Sequence, residues 1–360
     1  MDHKIFGTTE TDVNRDLTEY REALKSGKQF KVTYYAKSYR LRYSMLGLKA
    51  DILVTANPRE QINASSLTLC FDITSVGIAK CLGIEGLVVW LGDLSFETLW
   101  YHAIYDARER LSRWARLPRA AFRRIGTAQM YRKLLRTEAH VIVSSKSSEE
   151  LLFKLGIISR YMPYPWPDAA VSIRRDQKES LPTFIFFGNL LALGSKSGFD
   201  FLLKRVYPHM IDRWGNRGFQ ILVAGSREMP RWVRDRLPSF PELQFCGFLE
   251  NLSETVDRCH AVLAPIEVPV GNRSRIITAM AFGSVIIAHA NTALGNPELV
   301  SGKNCYLASD GQEFFRAMQG VYEDPHKAHE IGTAARDTFE KVFDAPKAAE
   351  QLIQYLVSNF

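Results

Sequence analysis

Short apolar runs closed by glycine, asparagine or aspartate recur along the chain, separated by stretches with helical spacing. In the first half they are FKVTYYA, DILVTAN, SLTLCFD, GLVVWLGD and HVIVSS; in the second, TFIFFGN, FQILVAGS, LQFCGF, AVLAPI and SVIIAH. Runs this short, rich in β-branched and aromatic residues, predict strands. Their alternation with helical stretches predicts parallel sheets of an α/β protein. Between the two groups lies YPWPDAAVSIRRDQKESLP, Tyr164 to Pro182, proline-rich, charged and without periodicity, as expected of a linker. The reading is a Rossmann-like domain over residues 1–165, a linker at 166–181, and a second Rossmann-like domain at 182–344. A last helix, 345–360, is expected to pack back on the first domain. Two doubly wound sheets facing across a cleft would hold a ligand at the carboxyl ends of their strands.

Pro269 to His289 is the most informative stretch. HAVLAPI before it and SVIIAH at its end are strands, and IITAMAFG between them has helical spacing. That helix is expected to start between Gly271 and Ser274, where free N–H groups and the positive end of the helix dipole favour an anion. Arg273 and Arg275 stand at the same place and point to phosphate. A second stretch, TFIFFGNLLALGSKSGFDFLLKRV, ends a strand at Gly188-Asn189 and predicts a loop carrying Gly194, Ser195, Lys196 and Gly198. It has neither G-x-G-x-x-G nor G-x-x-x-x-G-K-[ST]. The two loops together would line one edge of the second domain.

The length of 360 residues and 46% hydrophobic content allow two cores. No apolar run approaches the roughly 20 residues of a membrane span, and MDHKIFGTTETD lacks a leader pattern, so a cytoplasmic protein is expected. The five cysteines include no C-x-x-C pair and read as reduced. The net charge of +7 is concentrated in Arg108–Arg136, where nine Arg and one Lys face one Glu. Trp114, Leu117, Phe122, Ile125, Tyr131, Leu134 and Leu135 interleave with those charges, and Pro118 should divide the segment into two amphipathic pieces. A surface of this kind suits anionic lipid headgroups, with Arg116, Arg119, Arg123, Arg124, Trp114 and Phe122 facing them; a merely solvated face is the alternative. Nucleic acid is not expected, because no accompanying motif is present.

The order FFGN, K-S-G, FQILVAGS, LQFCGFLENLSETVDRCHAVLAPIEVPVGNRSRIITAMAFGSVIIAH and LVSGKNCYLASDGQEFFRAM resembles the nucleotide-sugar-binding half of GT-B glycosyltransferases, in particular the retaining family four (glycosyl transferases group 1). The family's G-x-R-x-K-x-x-E-A-M-A stretch is similar to Gly271-Asn272-Arg273-Ser274-Arg275-Ile276-Ile277-Thr278-Ala279-Met280-Ala281 here. The likeness spans about Thr183 to Phe343, with a looser match in the first half. It implies a donor site made of Gly188, Asn189, Ser195, Lys196, Gly271, Asn272, Arg273, Ser274, Arg275, Thr278 and Glu298. The family's two glutamates are replaced by Val270 and Thr278, and Glu267 is the nearest carboxylate to the earlier one.

The implied activity is sugar transfer from a nucleotide-sugar, UDP- or GDP-linked, to a glycan or lipid-linked acceptor, in polysaccharide or lipopolysaccharide synthesis at the inner face of a membrane. Lys196, Arg273 and Arg275 would stabilise the leaving diphosphate. No D-x-D motif occurs, so neither metal nor cofactor is expected. Asp93, closing GLVVWLGD, is the acceptor-side catalytic candidate, with a helix N-cap as its other reading. His102, in LWYHAIYD, reads as a core residue. A nucleotide-sugar epimerase on the same fold and a non-catalytic partner subunit are the alternatives.

Overall fold

The structure, a computed structural model, describes residues 2–4, 31–33, 36–44, 47–54, 68–81, 83–109, 111–169, 178–270 and 274–359. Two compact units emerge, one of residues 1–144 and 148–162, the other of residues 145–147 and 163–360.

In the first unit, β1 (Asp2–Lys4) pairs in parallel with β2 (Lys31–Thr33), and β3 (Ala36–Ser44) pairs antiparallel with β4 (Gly47–Val54). The hairpin corrects the expectation that every apolar run in this half belongs to a parallel sheet. Only two residues connect Ser44 to its partner Gly47. A parallel crossover needs a dozen or more. The parallel sheet begins at β5 (Thr68–Phe71) and continues through β6 (Leu87–Leu91), β7 (His140–Val143) and β8 (Arg160–Tyr161) in that spatial order. Its crossovers carry α1 (Asp72–Cys81), α2 (Ser95–Glu109), α3 (Leu117–Leu135) and α4 (Lys146–Lys154). Val89, Leu91, Val141 and Val143 bury one sheet face against Val76 and Ala79 of α1, Tyr131, Leu134 and Leu135 of α3 and Leu152 of α4.

The second unit is built on six parallel strands: β9 (Thr183–Phe187), β10 (Gln220–Ala224), β11 (Leu243–Gly247), β12 (Ala261–Ala264), β13 (Ile286–His289) and β14 (Tyr306–Ala308). Their spatial order is β11-β10-β9-β12-β13-β14. The chain therefore winds outward from β9 in one direction, returns, and winds outward again from β12. Period-two alternation divides the strand side chains between two cores. Phe184, Phe186, Ile221, Val223 and Leu263 pack on one face with Phe199 of α5 (Leu193–Phe201) and Met210 of α6 (Tyr207–Trp214). Ile185, Phe187, Ala224, Val262 and Ala264 pack on the other. There they meet Val256 of α7 (Leu252–Arg258), Ile276, Ile277 and Met280 of α8 (Ser274–Ala281), and residues of the C-terminal helices. Those helices are α9 (Gly311–Glu323), whose Phe314 and Met318 join the first core, α10 (Pro325–Thr338) and α11 (Ala345–Asn359). Between α5 and α6 a wider turn, Leu202–Val206, bonds Tyr207 N–H to the Leu202 carbonyl. Pro208 follows at once, and a proline without N–H disturbs the regular ladder at this distance.

Candidate nucleotide-sugar site

The reversal of winding at β9 and β12 opens a crevice between two neighbouring parallel strands, at their carboxyl ends, which is where open α/β sheets bind ligands. The chain places glycine there for a steric reason. Gly188, directly after β9, has φ +127°, and a Cβ on it would lie 2.8 Å from Arg275 Nη2. Gly225, directly after β10, has φ +117°, and a Cβ on it would come within 2.2 Å of the Gly188 carbonyl oxygen. Two backbone turns and a guanidinium thus occupy space that any side chain would claim.

Arg275 lies in the first turn of α8 and is only 8% exposed. Its guanidinium carbon sits 4.4 Å from the centre of the Phe186 ring, and Nη2 donates to Ser195 Oγ at 2.6 Å. Ser195, itself 2% exposed, lies in the first turn of α5 and serves as a bracket for Arg275 rather than as an open ligand. Half-buried Lys196 follows it. Asn189 shapes the preceding turn, its Oδ1 accepting the Leu191 N–H at 3.0 Å while its carbonyl accepts from Ala192. The N-termini of α5 and α8, with their dipoles, are thereby held beside one another through the Arg275–Ser195 bond.

Of the residues expected at the donor site, Gly188, Asn189, Ser195, Lys196, Ser274 and Arg275 come together here. Gly271, Asn272 and Arg273 lie outside the described residues. Gly194, Ser195, Lys196 and Gly198 belong to helix α5, not to the expected loop. The small residues serve close packing: a Cβ on Gly194 would stand 3.4 Å from Ile266, and one on Gly198 would stand 3.4 Å from both Phe186 and the Pro265 carbonyl.

Thr278, expected at the donor site, has partners of its own within the second unit. Its hydroxyl donates to the Ser274 carbonyl at 2.8 Å and accepts the indole N–H of Trp166 at 3.0 Å, so it is committed to tying the linker to α8. Glu267 is exposed after β12, and its carbonyl accepts from Asn291 Nδ2 at 2.5 Å. Glu298 is half-buried in the loop after β13; its carbonyl accepts from Asn304, which also bonds Thr338 and the Val300 N–H. Arg227 and Phe248, at the carboxyl ends of β10 and β11, were not singled out by sequence. The guanidinium stands 5.9 Å from the ring centre and Phe248 is 58% exposed. The glycine that ends each strand, Gly225 and Gly247, was the available signal.

On the first unit, Asp93 is exposed in the turn between β6 and α2. Burial, and more weakly the carboxylates of Asp72 and Asp93, push the Tyr131 hydroxyl above its ordinary pKa. His102 is exposed on α2, not packed in the core as expected. Arg124 is also corrected. Its Nε donates to Glu97 Oε1 at 2.9 Å and its guanidinium lies 5.5 Å from the Trp100 ring centre, so it braces α2 against α3 instead of standing on an outer face.

Residues 181–324 match the glycosyl transferases group 1 family. No curated protein matches the sequence. Among solved structures, the chain is similar to sucrose-phosphate synthase from Thermosynechococcus elongatus, with a TM-score of 0.64 and 15% identity over 100% of this chain and 99% of that one. It is similar to Anabaena HepE in complex with UDP and glucose, with a TM-score of 0.61 and 14% identity over 99% and 100%. It is also similar to the lipopolysaccharide outer core galactosyltransferase WaaB in its apo form, with a TM-score of 0.58 and 11% identity over the whole of both chains. The two-unit parallel α/β fold is shared with these structures, and residues 181–324 within it carry the likeness to the glycosyl transferases group 1 family.

Proposed function

We propose that the chain moves a sugar from a nucleoside diphosphate donor to a glycan acceptor, with retention of anomeric configuration and without a divalent metal. The observation that carries this reading is the Arg275–Ser195 bond, which fixes a cation and two helix N-termini at the carboxyl ends of β9 and β12. The sugar–phosphate bond breaks, the acceptor oxygen bonds the anomeric carbon on the same face, and the acceptor proton passes to a phosphate oxygen. Negative charge grows on the leaving diphosphate, and fixed positive charge stabilises it without reorganisation. Lys196, Arg275 and, by its sequence position, Arg273 supply that charge. Asp93 is the residue of the first unit proposed to orient the acceptor hydroxyl.

The metal-free reading rests on the absent D-x-D motif and on basic side chains where a bridging ion would otherwise act. A uridine nucleotide is favoured over guanosine because a structural neighbour was solved with UDP-glucose. A polysaccharide or lipopolysaccharide acceptor is supported by the lipopolysaccharide galactosyltransferase among the neighbours. An epimerase would bind the same diphosphate but needs carboxylates and a histidine gathered at the site, and a non-catalytic subunit has no need to keep the basic residues, so both are less well supported. The test is a thermal-shift series with UDP, GDP, ADP, TDP and CMP, followed by turnover of the matching sugar donors with and without EDTA. A nucleotide at a hundred times its dissociation constant should add about 2.7 kcal/mol of stability. Stabilisation by none of them overturns the donor assignment, and EDTA-sensitive turnover restored by magnesium overturns the metal-free one.

A further inference from the structure

We propose that the outer face of α3 docks the first unit on an anionic lipid surface. Leu117–Leu135 contains no carboxylate, yet its outer side is not simply polar. Phe122 is 65% exposed and Ile125 60%, and Trp114, in the 3-10 turn Leu111–Arg116 that leads into the helix, is 53% exposed. At 3.6 residues per turn, Phe122, Ile125, Gln129, Arg132, Lys133 and Arg136 share roughly a third of the circumference, with Arg119 and Arg123 on its flank. All of these side chains are exposed. The opposite side is anchored by Tyr131, Leu134 and Leu135 in the core, so the helix cannot turn its apolar outer residues inward.

Two large exposed apolar side chains one turn apart also occur on α11, at Ile353 and Val357, but no cation lies between Ala348 and Asn359 there, whereas Phe122 and Ile125 are ringed by them. Apolar residues at the centre with arginine and lysine around them suit a helix lying in the headgroup layer of a negatively charged bilayer. Nucleic acid would use the same cations but has no place for Phe122 and Ile125 in contact with phosphates. The binding cations are Arg119, Arg123, Arg132, Lys133 and Arg136; Arg124 and Arg113 are held by Glu97 and Asp106. Among the described residues no helix is long and apolar enough to cross a membrane, so the surface lies on the bilayer.

The test is co-sedimentation of the full chain with phosphatidylglycerol or phosphatidylcholine vesicles at low salt, without donor or acceptor. It is independent of the transfer reading, so either can fail while the other stands. Each cation near an anionic surface is expected to contribute about fivefold to partitioning. Wild type should bind phosphatidylglycerol vesicles at least about tenfold better than phosphatidylcholine ones, and the combined change Arg119→Ser, Arg123→Ser and Arg132→Ser should remove most of that preference. Phe122→Ser with Ile125→Ser should weaken binding at constant charge. Arg231→Ser with Arg234→Ser, on the second unit, should leave it unchanged. Equal binding to both vesicles, or loss of binding in the second-unit control alone, overturns the proposal. So does tighter binding to an oligonucleotide that is insensitive to Phe122→Ser and Ile125→Ser. Melting temperatures of the variants, expected to match wild type because every changed side chain is exposed, separate lost docking from lost folding.

Discussion

Trp166 donates its indole N–H to the hydroxyl of Thr278 at 3.0 Å, joining the linker to the helix that begins beside β9 and β12. The same linker residue is held by its backbone, since its N–H donates to the Phe343 carbonyl at 2.8 Å. Thr278 stands where the resemblance leads to the expectation of a glutamate, and here its hydroxyl bonds Trp166 and the Ser274 carbonyl. Thr278→Val should cost about 1 kcal/mol in denaturant melts, the net worth of a part-buried hydrogen bond. Trp166→Phe should cost a similar amount, and the double variant should show a coupling term of the same size. Donor KM should change by less than about threefold, because the hydroxyl is not a ribose ligand. A large rise in KM at unchanged stability would return Thr278 to the donor site.

The Arg275 guanidinium fills the space above Gly188, so the two positions should fail together. Gly188→Ala puts a Cβ 2.8 Å from Nη2 and forces a side chain into φ +127°. Backbone strain of that kind costs about 1–3 kcal/mol, and displacement of Arg275 should add a loss of turnover. Arg275→Ala should lower kcat by about 10²–10³, the range for removing one preorganised electrostatic donor. Ser195→Ala should lie between wild type and Arg275→Ala, since it releases the bracket and keeps the cation. Nucleotide titration and steady-state kinetics check these outcomes. Full activity in Arg275→Ala would exclude it from catalysis.

The second unit was legible in the sequence because three of its predicted strands are wholly buried apolar runs. TFIFF and AVLA are fully buried, and the glycine after TFIFF is demanded by the backbone. Less legible were features in which a residue type has two physical uses. Gly194, Ser195 and Gly198 look like a flexible loop by composition, but smallness here lets α5 approach Ile266 and Pro265. Arg124 looks like one more surface cation, and only the fold brings Glu97, 27 positions earlier, beneath it. Thr278 and Trp166 are 112 positions apart, beyond any local pattern. In the first half, the run DILVTAN reads like the others, and the two-residue connection that makes its strand the second arm of a hairpin was the overlooked signal.

Arg124 and Glu97 define a structural, not a surface, use of charge. Glu97 is 4% exposed and rests on Arg124, which also covers Trp100. Arg124→Ala would leave that carboxylate buried without its guanidinium and should destabilise the first unit by about 1–3 kcal/mol. Arg124→Ala combined with Glu97→Ala should recover part of the loss, as expected when the cost arises from an orphaned partner. Equilibrium unfolding of the three variants measures this. An Arg124→Ala protein as stable as wild type would show that the pair is only a surface contact.

His260 links pH to the stability of the second unit. Its Nδ1 accepts the Thr183 N–H at 3.1 Å, and its ring packs edge-on against Tyr322 with centroids 5.0 Å apart. Burial disfavours the imidazolium and holds the pKa below its ordinary 6.5, with the Thr183 backbone opposing the shift and nearby Lys178 adding to it. In the unfolded chain the same imidazole takes up its proton near pH 6.5. The unfolded state therefore binds more protons between that pH and the lower folded value, and stability must fall as pH is lowered across this window. Above pH 6.5 the contribution is fully present and flat. Protonation turns Nδ1 from an acceptor of the Thr183 N–H into a donor toward the Thr183 carbonyl, 3.2 Å away, which is why the backbone opposes the shift without cancelling it. Urea melts from pH 8 to pH 5 should show a slope in this window that is absent in His260→Asn, whose side chain can still accept from Thr183 but does not titrate. If the wild-type and His260→Asn curves run parallel across that range, other groups set the acid sensitivity of the fold.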